Sequence, residues 1–211
     1  KALGAYVRAQ LALGKQALEN RDFCQAIDRF DKAIDTPPNL GEVRHLLANN
    51  SDVHYFSGLA AAGAGDRKLA RQHWKTAAEF KGDFQSMSIR AFSEMTFYSA
   101  LALRQLGRNA AAIKLLQQLL AHARSLAKSE AKIDYFATSL PAMLLFDEDI
   151  QARQQTDAKV LQAQALFGLG RRDAAKKILH EVLRRDPAHA IATELLHDIS
   201  RQSRWTWYGQ S

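Results

Sequence analysis

Apolar residues recur along this chain at steps of four and then three, each run led by a small residue. Ala26 is followed by Phe30 and Ala33, Ala70 by Trp74 and Ala77, Ala112 by Leu116 and Leu119, and Ala175 by Leu179 and Val182. Steps of three and four place such residues on one face of a helix. A short helix of this kind can bury its stripe only against a neighbour. The four copies are therefore expected to stack into one elongated core instead of folding as separate globules.

The punctuation between the runs repeats too. Five residues before three of the leading alanines stand Gly65, Gly107 and Gly170, where a left-handed residue ends one helix and lets the chain reverse into an antiparallel partner. The first copy has Arg21 at that position, and Asn20 beside it is the expected turn former. Twelve residues before the alanines come Gly14, Gly58, Ala100 and Ala163, small enough for two helices to approach closely. Pro38 and Pro187 close the first and fourth copies.

This frame resembles the tetratricopeptide repeat family. The matching residues are Gly14, Ala26, Phe30, Ala33 and Pro38; then Gly58, Gly65, Ala70, Trp74 and Ala77; then Gly107 and Ala112; and last Gly170, Ala175 and Pro187. The resemblance implies an all-α fold, an α-solenoid of antiparallel helix pairs wound as a right-handed superhelix. Residues 1–203 form the repeat domain, with repeats near 7–38, 51–82, 93–126 and 156–189. The spacing departs from the family: the leading alanines lie 44, 42 and 63 residues apart, against about 34 in the standard unit. Inserted helices are expected near 39–50 and 128–147, and residues 82–92 are read as lengthening the first helix of the third copy. The insertion from 121 to 150 holds Ile133, Tyr135, Phe136, Leu140, Met143 and Phe146, too apolar to stay solvated, and Pro141 divides it. Asp147, Glu148 and Asp149 read as the N-terminus of a long helix running to Phe167.

The wording of residues 131–149 is similar to the C-terminal repeat region of large bacterial proteins that carry an N-terminal, mutarotase-like β-rich domain. That narrower resemblance implies a parent protein associated with sugar metabolism, with any sugar site upstream. The chain starts at Lys1, not Met, and is expected to be cut from something longer.

Composition agrees with helix throughout: four prolines and 11 glycines in 211 residues, no apolar run long enough for a membrane span, and no support for strands. Lone Cys24 excludes an internal disulfide and fits a reducing, cytoplasmic setting. The formal charge of +7 raises nucleic acid as a partner. Its distribution argues against one, because the excess is spread over both halves and the densest basic stretch, Arg171 to Arg185, is broken by Asp173 and Glu181. The seven histidines show no metal-ligand spacing, and Asp147 to Asp149 needs no cation to explain it. Gly63 to Asp66 lacks the third glycine of a dinucleotide loop and follows a helix. No catalytic residue, cofactor or metal site is assigned.

What remains is recognition by surface. The resemblance places the first helix of each pair on a concave groove, with Arg8, Lys15 and Glu19 from the first copy and Asp52, Tyr55 and Leu59 from the second. Glu94, Phe97, Arg104 and Gln105 follow from the third, and Asp157, Gln164 and Phe167 from the fourth. For any one of these, and for Leu59 and Phe167 above all, a place in the core or on an ordinary solvated face is the competing reading. Trp205, Trp207 and Tyr208 sit in a tail, 204–211, that either caps the solenoid or docks elsewhere. The leading expectation is a non-catalytic scaffold for a protein or peptide, the upstream domain of its own polypeptide or a second copy of itself. The alternative is an auxiliary segment of a carbohydrate-related enzyme or sugar-binding protein, and nucleic-acid binding comes third.

Overall fold

A computed structural model describes residues 2–35, 37, 49–79, 83–85, 88–131 and 150–201. The described helices are α1 (Ala2–Glu19), α2 (Phe23–Ile34), α3 (Ser51–Gly63), α4 (Arg67–Glu79), α5 (Glu94–Gln105), α6 (Asn109–Leu126), α7 (Ile150–Gly168), α8 (Arg172–Arg185) and α9 (Ala190–Arg201). Between α4 and α5 runs a short antiparallel hairpin, β1 (Asp83–Gln85) and β2 (Ser88–Arg90), with Phe84 opposite Ile89. The described helices form an all-α repeat array of four antiparallel pairs followed by α9. Each packs on its chain neighbours, and α1, α3, α5, α7 and α9 also touch one another in succession along one face.

The four hairpin turns are built alike. Gly65, Gly107 and Gly170 take φ of +90°, +77° and +82°. In each case the next residue donates its N–H five residues back: Asp66 to the Ala61 carbonyl, Arg108 to Leu103, Arg171 to Leu166. This is the Schellman closure of a helix end. The first turn does the same with Arg21 at φ +59° and Asp22 bonded to the Ala17 carbonyl, so Arg21, not Asn20, occupies the left-handed slot. The slot is fixed by the bonding pattern, which asparagine one residue earlier cannot meet. The next helices open on caps the sequence supplies: Asp22 accepts from the Gln25 N–H at 3.0 Å and Asp66 from the Leu69 N–H at 2.8 Å. Ser93 and Thr96 form a reciprocal capping box at the start of α5.

The leading alanines and their apolar followers are all buried: Ala26, Phe30, Ala33, Ala70, Ala77, Ala112, Leu116, Leu119, Ala175 and Leu179 are fully enclosed, and Trp74 and Val182 nearly so. Small residues twelve positions earlier admit the large ones. A Cβ on Gly14 would lie 2.3 Å from the Phe30 ring, and one on Gly58 would lie 2.3 Å from Trp74 Nε1. In the first two pairs the aromatic ring of the second helix therefore sits in a notch cut into the first. Trp74 Nε1 donates to the Tyr55 carbonyl at 3.3 Å.

Outer helices α4 and α8 are amphipathic, with one buried stripe each; inner helices α3 and α7 are buried on most sides because pairs flank them. The apolar interior has two clusters, one around α1 to α4 and one around α5 to α9. They meet in α5, where Tyr98 and Leu101 pack against both; within the second cluster Phe97 stacks on Phe167 with centroids 5.9 Å apart. A buried chain of hydroxyls strengthens the joint, with Ser99 Oγ donating to Ser51 Oγ at 2.9 Å.

Two expectations need correction. Residues 83–85 and 88–90 do not extend the first helix of the third copy; α5 starts at Glu94, and the two short strands pair with each other instead. The capping box at Ser93 stops the helix from growing backwards, and the exclusion of strands was too broad by these two. Most of the inserted helices expected near 39–50 and 128–147, with Asp147 to Asp149 and the aromatic tail, lie outside the described residues; the described ends of the two segments, 49–50 and 128–131, are not helical. The flanks of the longer insertion are tied together, since Gln151 Oε1 accepts from the Ala131 N–H at 2.7 Å and Gln154 Nε2 donates to the Ser129 carbonyl at 2.8 Å.

Candidate functional site

The inner helices converge on a cavity of about 290 Å³. Its polar lining comes from every inner helix: Arg8 on α1, Asp52 on α3, Glu94 and Tyr98 on α5, Gln164 on α7 and Glu194 on α9. Leu11, Met95, Ile191 and Leu195 supply apolar wall. The face expected to be an open groove is thus closed on one side by α9, whose apolar stripe, Ala192, Leu195 and Ile199, is buried with the C-terminal cluster. The acids Glu194 and Asp198, one turn apart, lie on the adjoining stripe and meet α1.

That meeting is an ion pair. Lys15 Nζ lies 3.0 Å from Asp198 Oδ2, 3.9 Å from Glu194 Oε2 and 5.0 Å from the centre of the Phe56 ring. The Lys15 and Asp198 side chains are only 11% and 15% exposed, so the contact is largely shielded from solvent. It joins residues 183 positions apart and bridges the first described helix to the last.

The electrostatics around the cavity are negative. Burial pushes the Tyr98 phenol well above its usual range, and Asp198, Asp52 and Glu194 push it further. Burial also raises Tyr55, to about 12, against a hydrogen bond from Gln105 that pulls the other way. Gln164 is 1% exposed; its Nε2 donates to the Glu94 main-chain carbonyl at 3.3 Å, and among the described residues its Oε1 has no hydrogen-bond partner.

Of the residues expected on the concave face, Arg8, Asp52, Glu94 and Gln164 come together around this cavity. Glu19, Arg104, Gln105 and Asp157 are half-buried and do not line it. Tyr55, Leu59, Phe97 and Phe167 are core, enclosed because the inner helices are packed on several sides, and Lys15 is turned inward by its ion pair. Trp205, Trp207 and Tyr208 lie outside the described residues.

Sequence reasoning missed the contribution of α9. Its signal was present in Ala192, Leu195 and Ile199 at helical spacing, with Glu194 and Asp198 four apart beside them. It also missed a histidine pair on α3 and α4, His54 Nδ1 to His73 Nδ1 at 3.1 Å. At that distance at least one ring is neutral, donating or accepting one proton. His73 is held below the usual imidazole range by burial, with Asp31 acting in the opposite direction. Among the described residues no group of three or more His, Cys, Asp or Glu could hold a metal ion, and Cys24 is exposed. The basic side chains of α8, Arg172, Lys177, Arg184 and Arg185, point outward, away from the cavity. Among the described residues no helix is long and apolar enough to cross a membrane.

No solved structure matches the chain. Residues 95–123, which hold most of α5 and α6, and residues 160–200, which hold the C-terminal part of α7 with α8 and most of α9, each match a family model described as tetratricopeptide repeat. Together with four helix pairs closed by the same turn, these two matches support the tetratricopeptide repeat family for this chain.

Proposed function

We propose that this chain is a non-catalytic interaction module whose concave face receives a segment of another protein domain, either a neighbouring domain of its parent polypeptide or a second copy of itself. The observation that carries the reading is the convergence of five inner helices on one cavity with mixed polar and apolar walls. A single helix pair contributes too little surface to recognise a partner; side chains drawn from α1, α3, α5, α7 and α9 make one composite surface. The tetratricopeptide repeat matches support a role in protein contacts in general, and the closeness to sugar-related bacterial proteins in residues 131–149 suggests a β-rich domain as the neighbour.

A photoreactive amino acid at position 8, at the mouth of the cavity, tests this against one at position 177 on the outer face of α8. Cross-links to a co-expressed neighbouring domain, or to a second copy in concentrated solution, should form from position 8 and not from position 177. Equal labelling from both positions, or from neither, refutes the concave face as the recognition surface.

A further inference from the structure

The cavity is polarised in a way that selects for charge. Asp52, Glu94 and Glu194 line it, with Asp198 adjoining, against the two cations Arg8 and Lys15. Lys15 is committed to Asp198 and Glu194. Gln164 adds a second, independent sign. Its amide nitrogen must face the Glu94 carbonyl, because a carbonyl can only accept, and this fixes the other atom of the amide as the oxygen. That oxygen belongs to a cavity-lining residue that is 99% shielded, and it lacks a donor among the described residues. A buried acceptor without a donor is destabilising by itself, and an incoming N–H group relieves it.

Size narrows the ligand. About 290 Å³ is at the small end for a ligand pocket, enough for one side chain and too little for a folded segment. The walls formed by Leu11, Met95, Ile191 and Leu195 suit a methylene stem with a polar head beyond it. We infer that the cavity is a receptor for one basic side chain, arginine above all, presented by the bound partner, with the head group accepted by Gln164 Oε1 and the carboxylates of Asp52, Glu94 and Glu194. A guanidinium offers five donors in a fixed fork and matches several acceptors at once, whereas an ammonium offers three on a point charge. The inference rests on the concave face being the recognition surface.

The test is a titration of the whole isotope-labelled chain, followed by NMR, with N-acetyl-arginine methylamide, its uncharged citrulline counterpart and spermidine. The arginine derivative should give saturable shifts at Tyr98, Gln164 and Leu195, and citrulline should bind at least about tenfold more weakly, as expected when charge-assisted hydrogen bonds are lost. Gln164→Met should weaken arginine binding about fivefold or more while the chain stays folded, and Glu94→Gln serves as a second variant on an incompletely buried residue. No saturable response to arginine, or an equal response to citrulline, overturns the proposal. Tighter, competitive binding of spermidine overturns the side-chain source and assigns the site to a free polyamine. A partner peptide that cross-links from position 8 but binds equally after its arginines and lysines are replaced by alanine sinks the cation receptor and leaves the interaction module standing. Arginine binding with no cross-linked partner does the reverse.

Discussion

The ion pair between Lys15 and Asp198 should decide whether α9 stays closed against α1. Lys15→Met keeps the length of the stem and its packing on Phe56 while removing the charge; Asp198→Asn removes the other. Cutting one partner of a fully buried pair costs about 3–5 kcal/mol, because the survivor is left desolvated and unpaired. Here both side chains keep some water contact, at 11% and 15% exposure, and Glu194 stands 3.9 Å away as a weaker second partner. The discounted cost is about 2–3 kcal/mol for either single change, with up to ~1 kcal/mol of the Lys15 effect coming from the lost attraction to the Phe56 ring. The double variant should recover most of the loss, with a coupling energy of about 1.5 kcal/mol or more. Because repeat arrays open from their ends, the assay is native-state hydrogen exchange resolved by helix, in addition to the global melt. A local loss of 2 kcal/mol speeds exchange across α9 about 30-fold while α3 and α4 remain protected. Coupling below about 0.5 kcal/mol, or uniform loosening of all helices, would show that α9 is held by its apolar stripe alone and that the ion pair is incidental.

Other expectations follow from the turns, notches and histidines. Gly58→Ala forces a Cβ within 2.3 Å of Trp74 Nε1 and should cost about 2–3 kcal/mol in chemical denaturation, with Trp74→Leu in the same chain restoring part of it. Gly107→Ala meets no atom within 4 Å, so its cost is conformational alone, about 1–2 kcal/mol from φ +77°. Arg21→Gly acts in the opposite direction, relieving a non-glycine residue at φ +59°, and should raise the melting temperature by a few degrees. His73 is held below its ordinary value of 6.5, so the unfolded chain takes up the proton first. Its contribution to stability is full above that value and is lost as pH falls below it toward the folded-state value. Melting temperature should therefore be flat from pH 7.5 to 8.5 and decline below about 6.5, and His73→Gln should flatten that decline.

Much of this architecture was legible because repetition checks itself. The alanine frame located the turns between paired helices, the glycines named the left-handed residue in three of them but not in the first, where it is Arg21, and residues such as Phe30 and Trp74 announced the notches at Gly14 and Gly58. The register within a pair is also periodic: Gln10 meets Arg29, His54 meets His73 and Tyr55 meets Trp74, each 19 residues apart. That spacing follows from one inner helix, a three-residue turn and one outer helix, and it would have found the histidine pair. What could not be read was anything set by the closure of the whole array. Whether Lys15 or Tyr55 faces solvent depends on how far the stack curls and on what its last helix covers, and no local pattern encodes that. The short hairpin at 83–90 escaped for a different reason: six paired residues are too few for alternation to stand out.

The bridge from Lys15 to Asp198 has a consequence for biogenesis. Neighbouring pairs can assemble as soon as each leaves the ribosome, since their contacts are short in sequence, but the central chamber acquires its final wall only when the last described helix is released. Nascent chains, or chains terminated before this helix, would display ordered hairpins and yet be unable to engage anything there, so that emergence of this helix itself licenses recognition.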